Sequence, residues 1–161
     1  MLDFAKISSG GYIMQRLSVM FLMAVVALTA GWSVSAVAAE EGPYNYLTAE
    51  ALKVKLESKE ALTLLDIQVE QEYGEHHIPG AVATHAYPVK SDDERGRLDA
   101  LLPQLQANAD AIVIVCPRGA GGAKRAYDHL LGRGIAPERL VILEKGQEEW
   151  PYPELTEKIG K

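Results

Sequence analysis

Residues 112–126 form the run Ile112-Val113-Ile114-Val115-Cys116-Pro117-Arg118-Gly119-Ala120-Gly121-Gly122-Ala123-Lys124-Arg125-Ala126. Its first four residues are β-branched and apolar, which is typical of a strand buried on both faces of a parallel sheet. A loop of small residues follows, and apolar residues then recur at helical spacing. The run therefore predicts a strand, a loop and a helix, with the cysteine at the point where the strand ends.

The loop suits a reactive thiol. Backbone N–H groups and the N-terminus of the following helix stabilise negative charge, so both favour a thiolate at Cys116. Glycine allows positive φ and a close approach of the backbone, and Pro117 has no N–H to donate. We predict Cys116 as a catalytic nucleophile in a cradle of backbone amides. The predicted substrate-binding residues are Arg118, Gly119, Ala120, Gly121 and Gly122.

Three cations lie in or just after this loop. Arg118 is within the loop and is the preferred residue for binding an oxyanion such as sulfite, with Lys124 as the alternative. Arg125 is predicted to be a surface charge of the helix.

Strands alternate with helices along the rest of the chain, which predicts an α/β fold with a mostly parallel sheet. Ligands of such sheets bind beyond the carboxyl ends of the strands, where Cys116 is expected. Thr48 is a predicted N-cap, Ser91 and Glu94 form a predicted capping box, and Pro103 is expected to end or kink a helix near Leu102. Strands are predicted at 46–47, 62–67, 81–87, 111–115 and 140–143, and a short final helix at 153–159.

The first 39 residues have the organisation of a secretory signal peptide. A basic start at Arg16 precedes an apolar run of 14 residues, 17–30, and the small residues Ala36-Val37-Ala38 then match a cleavage site. The apolar run is shorter than a membrane-spanning helix needs, although an uncleaved anchor is the alternative. We expect cleavage after Ala38 or Ala39, a domain at 40–161, a periplasmic or secreted location and no stable membrane anchor after cleavage.

Composition and cysteine count exclude some classes of partner and some roles for the cysteine. The formal net charge is −6 and no long run of Lys and Arg occurs, so nucleic acid is not an expected partner. An exported chain with one cysteine cannot form an internal disulfide, which marks Cys116 as a free reactive thiol or an intermolecular partner.

Three segments resemble the single-domain rhodaneses. Residues 66–81, Asp66-Ile67-Gln68-Val69-Glu70-Gln71-Glu72-Tyr73-Gly74-Glu75-His76-His77-Ile78-Pro79-Gly80-Ala81, are similar to the family pattern D-V-R-x-x-x-E-Y-x-x-G-H-I-P-G-A. The Cys116 loop is the second segment. The third, Leu143-Glu144-Lys145-Gly146-Gln147-Glu148-Glu149-Trp150, is similar to L-x-G-G-x-x-x-W. The resemblance covers residues 46–150 and implies a three-layer α/β fold with a five-stranded, mostly parallel sheet flanked by helices.

The resemblance also implies an activity. A rhodanese-like sulfurtransferase would move sulfane sulfur from thiosulfate or a persulfide, through a Cys116 persulfide, to cyanide, a small thiol or a protein thiol. No metal or cofactor is expected. A non-catalytic persulfide carrier and a protein-interaction module remain alternatives. A phosphatase or arsenate reductase is disfavoured because the residue six positions after Cys116 is Gly122, where phosphatases of this type need Arg.

The sequence departs from the family pattern at several positions. Gln68 replaces the usual Arg, and His76 replaces the usual Gly. Gly121 and Gly122 replace the Arg and Ser of the loop, so the family's thiosulfate-binding cation is missing from its usual place and the donor stays open. Two further residues are predicted as structural support: Asp66, as an acceptor for loop amides, and His77, in a turn.

Overall fold

The computed structural model describes residues 43–160, so the predicted signal peptide lies outside the described residues. The strands are β1 (Tyr46–Leu47), β2 (Leu62–Asp66), β3 (Val82–Ala83), β4 (Ala111–Val115) and β5 (Leu140–Leu143). The helices are α1 (Ala49–Glu57), α2 (Glu70–Glu75), α3 (Asp92–Asp99), α4 (Leu102–Gln106) and α5 (Gly121–Gly132), with 3-10 turns at Pro137–Arg139 and Pro153–Leu155.

The five strands form one parallel sheet in the order β1-β5-β4-β2-β3. This arrangement confirms the predicted α/β fold. β4 is central, and its register with β2 places Asp66 beside Val115. The residues that follow these two strands therefore leave the sheet at the same edge, where α/β folds place their ligands.

Alternate residues of β4 face opposite sides of the sheet. Ile112 and Ile114 belong to the core cluster that includes the apolar face of α5, whereas Val113 and Val115 belong to the opposite cluster. Cys116 continues the first set and is buried with it. Burying each of these aliphatic side chains stabilises the fold by roughly 1.5–3 kcal/mol. The packing of β4 against α5 therefore holds Cys116 in place at the end of the strand.

The predicted helix signals are confirmed. Thr48 caps α1 by accepting the Ala51 N–H at 3.2 Å, and Ser91 caps α3 in a reciprocal capping box with Glu94. Near Leu102 one helix ends and another begins. Pro103 lies in the first turn of α4, where its missing N–H has no helical partner to lose. None of the helices within residues 43–160 is long and apolar enough to span a membrane.

Two predicted elements are wrong in extent. The strand expected over 81–87 is limited to Val82–Ala83, because His85 has a positive φ of 52° that interrupts the extended backbone. The helix expected over 153–159 is a 3-10 turn, Pro153–Leu155. The backbone of Glu157 instead exchanges hydrogen bonds with His77, at 2.8 and 3.0 Å, and forms an isolated antiparallel bridge.

Candidate active site

Cys116 lies where β4 ends, and its sulfur is held by the loop that follows. The residue is 1% exposed. The Gly119 N–H donates to Sγ at 3.1 Å, so the loop folds back over the thiol. A backbone amide placed in this way stabilises negative charge on the sulfur without a buried counter-charge.

The segment that follows β5 packs against the loop and hydrogen-bonds to its backbone. The N–H groups of Gln147 and Glu148 donate to the carbonyls of Cys116 and Pro117, at 2.8 and 2.9 Å. Gly146 has φ of +66°, and a Cβ there would lie 2.0 Å from the Cys116 carbonyl oxygen. Only glycine fits at this crossing. No role was predicted for Gly146, although it lies in the third segment that resembles the family.

Gly119 is the matching glycine on the loop. Its φ is +61°, and a Cβ there would lie 2.5 Å from the Lys145 nitrogen and 2.7 Å from the Leu143 carbonyl oxygen. The two backbones therefore touch, and the position of the amide over Cys116 depends on the absence of a side chain.

The other two loop glycines have different neighbours. Gly122 is buried, and a Cβ on it would lie 2.6 Å from the ring of Tyr87. Gly121 is exposed, and the nearest neighbour of a Cβ there would be the Arg125 guanidinium, at 3.1 Å from Nη1. Gly121 is thus not sterically required by the loop backbone, in contrast to Gly119.

Gly121 also begins helix α5. Its N-cap residue Ala120 makes no side-chain hydrogen bond, and the first turn holds no acidic residue. The N–H groups of this turn therefore have no side-chain cap from Ala120, and no carboxylate in the first turn of α5 would repel an anion.

Arg118 points to the rim of the loop. Its guanidinium donates to Glu148 Oε1 at 2.7 Å and to the Tyr87 hydroxyl at 3.0 Å, and 58% of the side chain is exposed. The predicted oxyanion-binding cation thus has a carboxylate partner. Tyr87, for which no role was predicted, contacts both Gly122 and Arg118.

The two other cations lie apart from each other. The Lys124 ammonium lies over the Tyr44 ring, 5.3 Å from its centroid. Arg125, predicted as a surface charge, is half-buried, and its Nε donates to the Pro88 carbonyl at 2.8 Å.

Asp66 is fully buried at the end of β2. Its two carboxylate oxygens accept the Gln68 N–H at 2.8 Å and the Gln68 side-chain amide at 3.0 Å. Burial raises the pKa of Asp66 to about 6, although the two hydrogen bonds from Gln68 act in the opposite direction. Its amide partner belongs to the loop after β2, so Asp66 organises that loop and does not hydrogen-bond to Cys116 Sγ.

His77 is 6% exposed and is held by its surroundings. Its ring stacks on Tyr73 at a centroid distance of 3.9 Å, and its Nδ1 lies 2.8 Å from the Tyr73 carbonyl oxygen. These contacts fit a residue that fixes a turn. Among residues 43–160, no group of three His, Cys, Asp or Glu side chains is arranged to hold a metal ion.

A family model described as the rhodanese-like domain matches residues 48–151. The chain belongs to the rhodanese-like domain family. No curated protein matches the chain.

Solved structures share the fold of this rhodanese-like domain. A rhodanese-like domain from an Anabaena species is 24% identical with a TM-score of 0.54, over 71% of this chain and 79% of that one. A thiosulfate sulfurtransferase from Pseudomonas aeruginosa is 22% identical with a TM-score of 0.55, over 71% of this chain and 19% of that one. A yeast protein tyrosine phosphatase of the rhodanese family is 18% identical with a TM-score of 0.54, over 71% and 92%. The activities named for these proteins differ, so the similarities establish the fold of the rhodanese-like domain and not its activity.

Proposed function

We propose that this rhodanese-like domain is a sulfurtransferase that carries sulfane sulfur on Cys116. The thiolate attacks the outer sulfur of a donor such as thiosulfate. A Cys–S–S⁻ persulfide forms, and sulfite leaves with the electron pair of the broken S–S bond. Cyanide or a thiolate then attacks the outer sulfur and regenerates the Cys116 thiolate. This is two-step covalent catalysis with a protein persulfide as the intermediate.

The observation that carries the proposal is the hydrogen bond from the Gly119 N–H to Cys116 Sγ, at 3.1 Å. Both the thiolate and the persulfide are anions, and both benefit from a rigid amide in the loop. The first turn of α5 adds N–H groups without an acidic side chain. Nothing in this arrangement requires a metal or a cofactor.

The loop argues against phosphoryl transfer. An Arg six positions after the cysteine would clamp phosphoryl oxygens in a bidentate manner. That position is Gly122, and the Tyr87 ring occupies the space that a side chain would need.

A non-catalytic persulfide carrier is the second candidate. The 1% exposure of Cys116 favours it, because a buried persulfide is shielded from oxidants and other thiols until a partner protein engages the loop. A protein-interaction module without sulfur chemistry is the remaining alternative.

The proposed enzyme works outside the cytoplasm. Residues 14–39 support this because they have the order of a signal peptide: a basic start, an apolar run and small residues before Glu40. Expression of the full chain in a bacterial host, followed by fractionation and N-terminal sequencing, tests it. We expect periplasmic protein that begins at residue 39 or 40, and a full-length N-terminus in the membrane fraction would contradict export with cleavage.

The activity is tested by incubating residues 40–161 with thiosulfate and cyanide and measuring thiocyanate. Intact-mass measurement after donor alone should show one added sulfur, which Cys116→Ser should abolish. Turnover that survives Cys116→Ser would refute the mechanism. Loading without turnover would favour the carrier, and neither loading nor turnover would favour the interaction module.

A further inference from the structure

The guanidinium of Arg125 lies over Gly121, at the end of the Cys116 loop. A Cβ on Gly121 would be 3.1 Å from Nη1, 3.8 Å from Cζ and 3.9 Å from Nη2, so the three nearest heavy atoms outside the local backbone belong to this one group. Helical side chains point towards the N-terminus, and residue 125 is one turn after residue 121. The absence of a side chain at Gly121 therefore leaves room for a cation that reaches back from α5.

This cation is held in place and has no acidic partner among residues 43–160. Its Nε donates to the Pro88 carbonyl at 2.8 Å, which fixes the plane of the guanidinium and leaves the Nη groups as donors. Arg118 differs because it is paired with Glu148, and Lys124 lies over the Tyr44 ring. A half-buried guanidinium next to uncapped N–H groups of a helix is suited to an oxyanion.

We infer that Arg125 binds the oxyanion end of the sulfur donor, in place of a cation within the loop. The inference rests on the proposed function for the identity of the donor. The preferred donor class carries a sulfonyl or sulfonate group next to its sulfane sulfur, as thiosulfate and methanethiosulfonate do. Sulfite, the leaving group from thiosulfate, then departs from the same guanidinium.

Binding is measured separately from chemistry by titrating thiosulfate into Cys116→Ser in a calorimeter. Adding Arg125→Ala should weaken binding about 10- to 100-fold, which corresponds to the loss of a charge-assisted hydrogen bond. Arg95→Ala is the matched control, because it removes the same guanidinium from a partly exposed position of α3, where Arg95 pairs with Asp92, and it should leave binding unchanged. Arg125→Gln serves as a second neutral variant if Arg125→Ala does not fold.

Moving the cation gives the sharpest test. Gly121→Arg in the Arg125→Ala background should restore thiosulfate binding, because the space above residue 121 is then vacant and its φ is not in the positive range. Loading of Cys116 in Arg125→Ala should show a raised KM for thiosulfate and methanethiosulfonate and an unchanged KM for glutathione persulfide, whose sulfane sulfur carries no oxyanion.

The two proposals fail in different ways. Equal thiosulfate affinity with and without Arg125, or no thiosulfate binding by Cys116→Ser while glutathione persulfide loads the parent protein, would overturn the role of Arg125 and leave the sulfurtransferase intact. Absence of loading by every donor would overturn the sulfurtransferase, whereas Arg125-dependent thiosulfate binding would still support the anion site.

Discussion

Asp66 makes the stability of this domain depend on pH in a direction opposite to that of most carboxylates. The group is fully buried beside the end of β4, and burial raises its pKa from 3.8 to about 6. The folded chain therefore binds the proton more tightly than the unfolded chain does. The resulting stabilisation is complete below pH 3.8 and is lost as the pH rises to about 6. A pKa raised by this amount corresponds to about 3 kcal/mol.

The perturbation that isolates this effect is Asp66→Asn. Asparagine keeps an acceptor for the Gln68 N–H but cannot ionise, so the variant lacks the loss of stability between pH 4 and 6. We expect the free energy of unfolding of the variant, relative to the parent, to increase by about 2 kcal/mol from pH 4 to pH 7, because part of the total change falls below pH 4. Urea unfolding at half-unit intervals of pH measures the difference. The readout is the change of this difference with pH and not its absolute value.

Glu94→Gln is the control. Hydrogen bonds from the backbone N–H groups of Ser91 and Lys90 lower the pKa of Glu94 below 4.5, and glutamine preserves the capping box. Its difference from the parent should therefore be constant above pH 5. A constant difference for Asp66→Asn over the same range would refute the claim that burial disfavours the ionised form. Titration of the Asp66 carboxyl by carbon NMR gives an independent value.

Two further predictions concern the glycines around the loop. Gly146→Ala should lower the free energy of unfolding by at least about 2 kcal/mol, because its Cβ would clash with the Cys116 carbonyl oxygen and its φ is positive. Gly96→Ala is the control and should not destabilise the domain, because the space around Gly96 is open. Similar urea midpoints for the two variants would contradict the close contact at Gly146. Gly122→Ala should lower the free energy of unfolding by about 1–3 kcal/mol, because the added Cβ would overlap with the Tyr87 ring. The same substitution should have no effect on stability in the Tyr87→Ala background. Additive effects in this double-mutant cycle would show that the ring does not fill that space.

Local signals in the sequence predicted most of the fold. The apolar run of β4 and the caps Thr48 and Ser91 depend on neighbours within a few residues, and each is found where it was expected. The end of the chain was predicted incorrectly because its partner is distant. Glu157 pairs with His77, and no periodicity near residue 157 carries that information.

In the candidate site, too, local features were predicted and contacts between distant segments were not. The strand–loop–helix run located Cys116 and the amide of Gly119, which lies three residues away. Gly146 was not predicted because its role depends on a crossing between segments about 30 residues apart. The position of Arg125 could have been predicted, since residues four apart share one face of a helix and side chains lean towards its N-terminus.

The contact between Gly119 and Gly146 joins main chain to main chain, so peptide groups rather than side chains maintain the shape of the loop. The side chains of Arg118 and Ala120 are exposed and, like the exposed Gly121, are not what holds the two backbones together. A combinatorial library at these three positions would therefore leave the frame around the sulfur unaltered. We therefore expect that side chains at the rim of the loop can be exchanged without changing the backbone around the sulfur, which would make this domain a convenient scaffold for directed evolution of thiol chemistry.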